Sequence, residues 1–182
     1  PVIIDYNDDS SLKEALQGTD FVIHLAGILI ETKHSNYASA NVGATAAVVE
    51  AAMKSGTKNL IFISVVGADP ESKNAYFRSK GAAEKLIIDS GLGSSILRTP
   101  ILFGPSAAGS QAVIGMVSSG QAKLLGGGHY QMRPLDIDDL SEALVKLCLN
   151  PKGGQSTYEL VGPESASYRE IITKTAEVMD KT

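Results

Sequence analysis

The sequence predicts an α/β doubly wound fold built on a parallel sheet. Three observations carry that prediction. Short apolar runs at 21–26, 59–66 and 95–98 are hydrophobic on both faces, as strands covered by helices on each side must be. Segments with helical periodicity lie between them. The connections are short, so strands and helices alternate along the chain.

Each element has its own signals. Residues 1–5, Pro-Val-Ile-Ile-Asp, read as a first strand. Ser11-Leu-Lys-Glu14 is a capping box, with Leu12, Ala15 and Leu16 on one face and Gly18 as the stop. The 21–26 run ends at Gly27. An alanine-rich helix spans 36–55 and closes at Gly56. The 59–66 run ends at Gly67, and a helix over 76–90 carries Ala83, Leu86 and Ile87 before Gly91. The 95–98 run is closed by Pro100, and a helix fills 108–118. Leu140, Ala143, Leu144, Leu147 and Cys148 line one face of a helix over 139–150. A second capping box, Ser167-Tyr-Arg-Glu170, opens a final helix running to about Asp180. The glycines at 104–109 and 126–128 read as loops.

The composition narrows the function classes. With 182 residues, 43% hydrophobic and 20% charged, the chain reads as one domain over 1–182 with a real core. Within it, 104–135 and 151–182 are expected to add a small lobe on the substrate side. The net charge of −4 argues against a nucleic-acid partner. The longest apolar run, 21–30, is far below the roughly 20 residues a bilayer requires, so no membrane span is expected. One cysteine, Cys148, excludes internal disulfides and thiolate clusters, and it is expected to be a buried, inert thiol. No basic-then-apolar leader opens the chain, and a cytoplasmic location is the expectation.

The sharpest chemical signal is Tyr76-Phe-Arg-Ser-Lys80. Side chains four apart on a helix share a face. An ammonium beside a phenol favours phenolate, which lowers the tyrosine pKa toward neutrality and makes the pair a general acid/base. Taken alone, the spacing is more often that of a helix surface with one aromatic anchor. Ser64 lies at the carboxyl end of the preceding predicted strand, where such sheets bind ligands, although a serine there also serves as a plain loop exit.

Four segments together resemble one family: His24-Leu-Ala-Gly27, Asn41-Val-Gly-Ala-Thr45, Ser64 with Tyr76-x-x-x-Lys80, and Arg98-Thr-Pro-Ile-Leu-Phe-Gly-Pro105. Their order and spacing resemble the extended and atypical short-chain dehydrogenase/reductase superfamily, the NAD(P)-dependent epimerase/dehydratase group. Residues 63–70 with the Tyr76 motif are most similar to its NmrA-like and complex I accessory-subunit branches. The resemblance implies a Rossmann-like sheet, an NAD or NADP cofactor, and hydride transfer coupled to a proton moved by Tyr76. Lys80 would lower the Tyr76 pKa and hold the nicotinamide ribose, Ser64 would orient substrate, and Asn41 would support Lys80 through water. Leu25, Ala26 and Gly27 would pass under the ribose and diphosphate. Asp5 and Tyr6 match the position that touches adenine, and Pro100, Ile101 and Leu102 would lie against the nicotinamide. Arg133-Pro-Leu-Asp-Ile-Asp-Asp-Leu140 is similar to a late substrate-domain motif. A homodimer is expected, and the small-molecule substrate is not legible.

The sequence departs from that family in one respect. The sequence opens at what resembles the family's third strand, and nothing within it matches the strand, glycine-rich turn and helix that grip the diphosphate. Gly91-Leu-Gly-Ser-Ser-Ile96 runs from a helix into a strand, the wrong order for such a turn. The sheet is therefore expected to be incomplete on its N-terminal side, with 21–26 as an exposed edge. Three resolutions follow: the chain is a fragment, a partner covers the edge, or residues 2–5 re-pair with 21–26. Weak or absent dinucleotide binding by this chain alone is expected, to be refuted by micromolar binding in calorimetry. His24 is expected to be structural, and Asp136, Asp138 and Asp139 to cap a helix rather than hold a cation. Glu31 and Tyr37 are expected to be solvated loop residues. Three functions compete: an NAD(P)-dependent enzyme, a non-catalytic dinucleotide-binding regulator or accessory subunit, and an inactive remnant.

Overall fold

The computed structural model describes residues 1–6 and 8–181. Along the chain run α1 (Asp9–Leu16), β1 (Phe21–His24), a π-helical segment (Ala38–Gly43), α2 (Ala44–Ser55), β2 (Asn59–Val65), α3 (Ala75–Asp89) and β3 (Gly93–Thr99). There follow β4 (Leu102–Phe103), α4 (Ala108–Ser118), a 3₁₀ turn (Leu125–Gly128), β5 (Gln131–Met132), β6 (Leu135–Asp136), α5 (Ile137–Leu149), β7 (Gln155–Glu159), β8 (Ala166–Ser167) and α6 (Tyr168–Val178). They form two compact units, Pro1–Arg98 with Leu144–Glu159, and Thr99–Ala143 with Leu160–Thr182.

The first unit holds a four-stranded sheet in the order β1-β2-β3-β7. The β1–β2 and β3–β7 pairs are parallel, as expected of strands joined by helical crossovers. The register pairs Phe21 with Asn59 and His24 with Phe62, so β1 ends beside Phe62 and β2 runs three residues further, to Val65. Leu12 of α1, Val48 and Val49 of α2, Leu60 and Phe62 of β2, Ile87 of α3 and Ile96 of β3 form its buried core. Each such large side chain contributes about 1.5–3 kcal/mol by leaving water. Their positions explain why these segments read as apolar on both faces.

The second unit has two short ladders, β4 with β6 in parallel and β5 with β8 antiparallel. Val113 and Val117 of α4 pack with Ile172 of α6 at its core. The predicted capping box is formed: Ser167 Oγ accepts from the Glu170 amide at 3.2 Å, and the Glu170 carboxylate accepts from the Ser167 amide at 2.7 Å. Asp136 caps α5 by accepting from the Asp138 amide at 2.8 Å.

Several expectations are corrected. Residues 1–5 form no strand and do not re-pair with β1; Ile3 is 97% exposed. β1 stops at His24, two residues short of the predicted end. α1 begins before Ser11, because Asp8 takes the cap and accepts from the Ser10 amide at 3.0 Å. Cys148 is half-buried rather than buried. The predicted 36–55 helix opens as a π-helical segment before α2, which ends at Gly56 in the left-handed region (φ 77°). Strand β7 was not legible in the sequence. Among the described residues no helix is long and apolar enough to cross a membrane.

Candidate functional site

The carboxyl ends of β1 and β2 carry a connected group of polar side chains. His24, the last residue of β1, is buried and stacks on Phe62 of β2, with ring centroids 5.4 Å apart and 19° between the planes. Its Nε2 lies 3.0 Å from Thr45 Oγ1, and that hydroxyl donates onward to the Asn41 carbonyl at 2.6 Å. The hydroxyl proton is thereby committed, so the imidazole Nε2–H donates to Thr45. Burial, with a lesser push from the Lys80 charge, lowers the His24 pKa to about 4. At neutral pH His24 is an uncharged structural link.

Asn41 ties three elements together. It lies in the π-helical segment, a form that recurs at functional sites. Its Oδ1 accepts from the Ile28 amide at 2.7 Å, and its Nδ2 donates to the Ile28 carbonyl at 3.2 Å and to Ser79 Oγ at 2.9 Å. Ser79 in turn donates to the Tyr76 carbonyl at 2.7 Å. The loop after β1 is therefore clamped to α3 through one side chain. Gly27 is part of that fit, since a Cβ there would stand 3.0 Å from Asn41 Oδ1. Asn41 was expected to serve Lys80 through water; the partners seen are the Ile28 backbone and Ser79.

Lys80 projects from α3 toward β2. Its Nζ donates to the Ile63 carbonyl at 2.8 Å and lies 4.0 Å from the centroid of the Phe62 ring. Burial lowers its pKa to about 8, against an upward pull from Glu84. Tyr76 sits one turn earlier, on a helix start capped by Asn74, whose Oδ1 accepts from the Tyr76 amide at 2.9 Å. Its ring packs against Tyr37 at 5.8 Å and Phe77 at 5.7 Å. Burial and then Tyr37 raise the phenol above its ordinary value. This corrects the expected lowering by Lys80. The ammonium is engaged by a β2 carbonyl and an aromatic face, and helical spacing alone does not show that.

The other candidate residues are placed as follows. Ser64 is buried in β2, one residue before its end. Leu25 and Gly27 are exposed and Ala26 is half-buried in the chain leaving β1, while Asp5 and Tyr6 are exposed outside any strand. Glu31 and Tyr37 organise the loop after β1: the Glu31 carboxylate accepts from the Tyr37 amide at 2.8 Å, and the Tyr37 hydroxyl donates to the Leu29 carbonyl at 2.8 Å. Pro100, Ile101 and Leu102 belong to the second unit, where the Ile101 carbonyl accepts from the Leu135 amide at 3.1 Å. Sequence reasoning missed Thr45, Ser79, Glu84 and Arg98. Ser79 stood inside the Tyr76 motif and Glu84 one helical turn beyond it, while Thr45 and Arg98 appeared only as the ends of segments, none with a role. Among the described residues no cluster of three or more His, Cys, Asp or Glu side chains is suited to a metal ion.

The donor set suits the ribose and nicotinamide end of a dinucleotide. Among the described residues the buried Lys80 ammonium gives one of its three donors to a carbonyl, and the chain leaving β1 is partly exposed, so hydrogen bonds to ligand hydroxyls are on offer there.

Comparison with known proteins identifies the family. A family model described as NAD(P)H-binding matches residues 1–124. The NADH dehydrogenase [ubiquinone] 1 alpha subcomplex subunit 9 of Arabidopsis thaliana mitochondria is 28% identical over 98% of this chain and 44% of its own length. The UDP-glucose 4-epimerase of Vibrio cholerae is 24% identical over 97% of this chain and 62% of its own. The chain thus spans about half the length of the curated relatives it matches. In fold it is similar to the UDP-glucuronic acid 4-epimerase of Bacillus cereus in complex with UDP-glucuronic acid and NAD, with a TM-score of 0.84. That structure is 22% identical and covers 98% of this chain and 65% of its own.

Proposed function

The chain belongs to the NAD(P)H-binding family, and on that premise we propose that it serves an NAD(P)-dependent oxidoreductase or epimerase of the short-chain dehydrogenase kind. One observation carries this reading: a buried lysine ammonium at the carboxyl end of a parallel strand, one helical turn after a tyrosine. When bound, the nicotinamide supplies hydride exchange with a substrate carbon. Lys80 holds ribose hydroxyls with the N–H donors not given to Ile63. Tyr76 exchanges a proton with the substrate oxygen, and its raised pKa suits the donating direction at neutral pH. Ser64 orients that oxygen. Asn41 holds the loop after β1 against α3, which keeps Gly27 and the backbone of Leu25 and Ala26 in reach of the cofactor. Asp5 and Tyr6 are assigned to the adenine end.

A second reading is a dinucleotide-binding accessory or regulatory subunit without turnover. It draws on the similarity to the Arabidopsis complex I subunit. The test uses Tyr76→Phe in the full natural protein that contains this sequence. The enzyme reading expects turnover to fall about 10²–10⁴-fold with NAD(P) affinity kept. NAD(P) binding by the unsubstituted protein with no turnover on a broad panel of carbonyl and nucleotide-sugar substrates overturns it in favour of the second.

A further inference from the structure

Lys80 and Glu84 stand one helical turn apart on α3, at 7% and 4% exposure. Lys80 reaches β2, while Glu84 meets Arg98 of β3. The Arg98 Nε donates to the two Glu84 oxygens at 3.0 and 3.3 Å, and its Nη2 donates at 2.6 Å. A fork of this kind fixes the carboxylate in orientation as well as position. The geometry points to a positioning pair: Arg98 holds the Glu84 carboxylate on the β3 side, so that Glu84 gives the buried Lys80 ammonium a counter-charge without consuming its N–H donors. The inference deepens the reading of Lys80 as the residue that holds a dinucleotide.

An ammonium has three donors, and among the described residues one goes to the Ile63 carbonyl. A carboxylate four residues along a helix is placed to close an ion pair with a lysine. A free Glu84 would fold back onto Nζ and take donors a ligand hydroxyl requires. With Arg98 as its hydrogen-bonding partner, the Glu84 carboxylate still pulls the Lys80 charge from one helical turn away. The other charged or titratable groups around Lys80 do not substitute for it. From β1 comes His24, uncharged at neutral pH, and from α3 comes Tyr76, whose phenol stays protonated. β2 presents the Ile63 carbonyl and the Phe62 ring. Arg98 itself feels Glu84 first, then Glu159 and Asp69.

The experiment is a pH titration of the 182-residue chain, ¹³C-labelled at lysine and followed by NMR. The Lys80 signal is assigned by its loss in Lys80→Met. In the parent it is expected to titrate near 8. Glu84→Gln removes the counter-charge and is expected to lower that value. Arg98→Gln frees the carboxylate and removes a cation, and is expected to raise it by a unit or more, a tenfold gain in proton affinity. The double variant loses the carboxylate that pulls the value up, and is expected to stay below the parent. If Arg98→Gln does not fold, Arg98→Lys carries the test, because it keeps the charge but loses the fork; a smaller upward shift is expected. An unchanged or lowered value in the arginine variant, or an unchanged value in Glu84→Gln, overturns the pair. NAD(P) titration calorimetry of the full protein separates the two claims. The predicted order of pKa values without any dinucleotide binding leaves the pair standing and removes the ligand reading. Binding without that order removes the pair alone.

Discussion

Lys80 keeps its charge at 7% exposure, with a carbonyl and an aromatic ring as its near partners, and its pKa falls from 10.5 to about 8. Between those values the unfolded chain binds more protons than the folded one, so stability rises with pH across that window. Below pH 8 the folded state bears the full penalty. Lys80→Met is therefore expected to stabilise the chain at pH 7, by on the order of 1–3 kcal/mol, and to flatten the alkaline rise. Urea unfolding at pH 7 and pH 10 checks both; a less stable variant at pH 7 contradicts the account. His24 has the same sign in a different window. Its pKa falls from 6.5 to about 4, so stability present above pH 6.5 is lost as the pH drops toward 4. The expected loss is on the order of 3 kcal/mol, and His24→Gln is expected to shrink it in thermal unfolding followed from pH 7.5 to 4. The sequence made the shared face of Tyr76 and Lys80 legible, because helical spacing is local. It did not reveal that Nζ would be taken up by β2, which depends on how α3 lands on the sheet.

At the scale of elements, two helix glycines make opposite predictions. Gly81 lies in α3 where that helix meets the loop after β2: a Cβ there would sit 2.3 Å from the Asp69 carbonyl carbon and the Pro70 nitrogen. Backbone cannot yield as a side-chain tip does, so Gly81→Ala is expected to destabilise by at least about 2–3 kcal/mol. Gly115 in α4 has nothing within 4 Å of its missing Cβ. There Gly115→Ala is expected to stabilise by about 0.5–1 kcal/mol, since alanine loses less entropy on entering a helix. Chemical denaturation of both variants decides; equal effects would contradict the packing. The same contrast governs what was legible. α4 was read with its observed bounds, because a periodic run between loop residues is a local pattern. α1 was misplaced because Asp8 and Ser11 are both competent caps, and only the Asp8 contact with the Ser10 amide distinguishes them. β7 escaped notice because Gln155–Glu159 alternates exposed and half-buried residues at the end of the sheet, with none of the apolar run that marks a covered strand.

At the scale of the whole molecule, the strand order leaves β1 at one end of its sheet. Its outer backbone groups have no strand beside them among the described residues, and Ile23 in its middle is 41% exposed. Leu25, Leu29 and Ile30 continue the apolar exposure into the following loop. An uncovered strand with apolar neighbours is a template for pairing with another chain. The 182-residue chain is therefore expected to self-associate as its concentration rises, and sedimentation velocity over a dilution series measures this. Natural edges are blunted by lysine, so Ile23→Lys is expected to shift the distribution toward monomer. Ile88→Lys is the control, because it adds the same charge at a similarly exposed isoleucine on α3. If both variants suppress association equally, net charge is the cause. If neither does, contacts form elsewhere on the surface. Suppression by Ile23→Lys alone, with unchanged thermal unfolding, ties the association to the β1 edge.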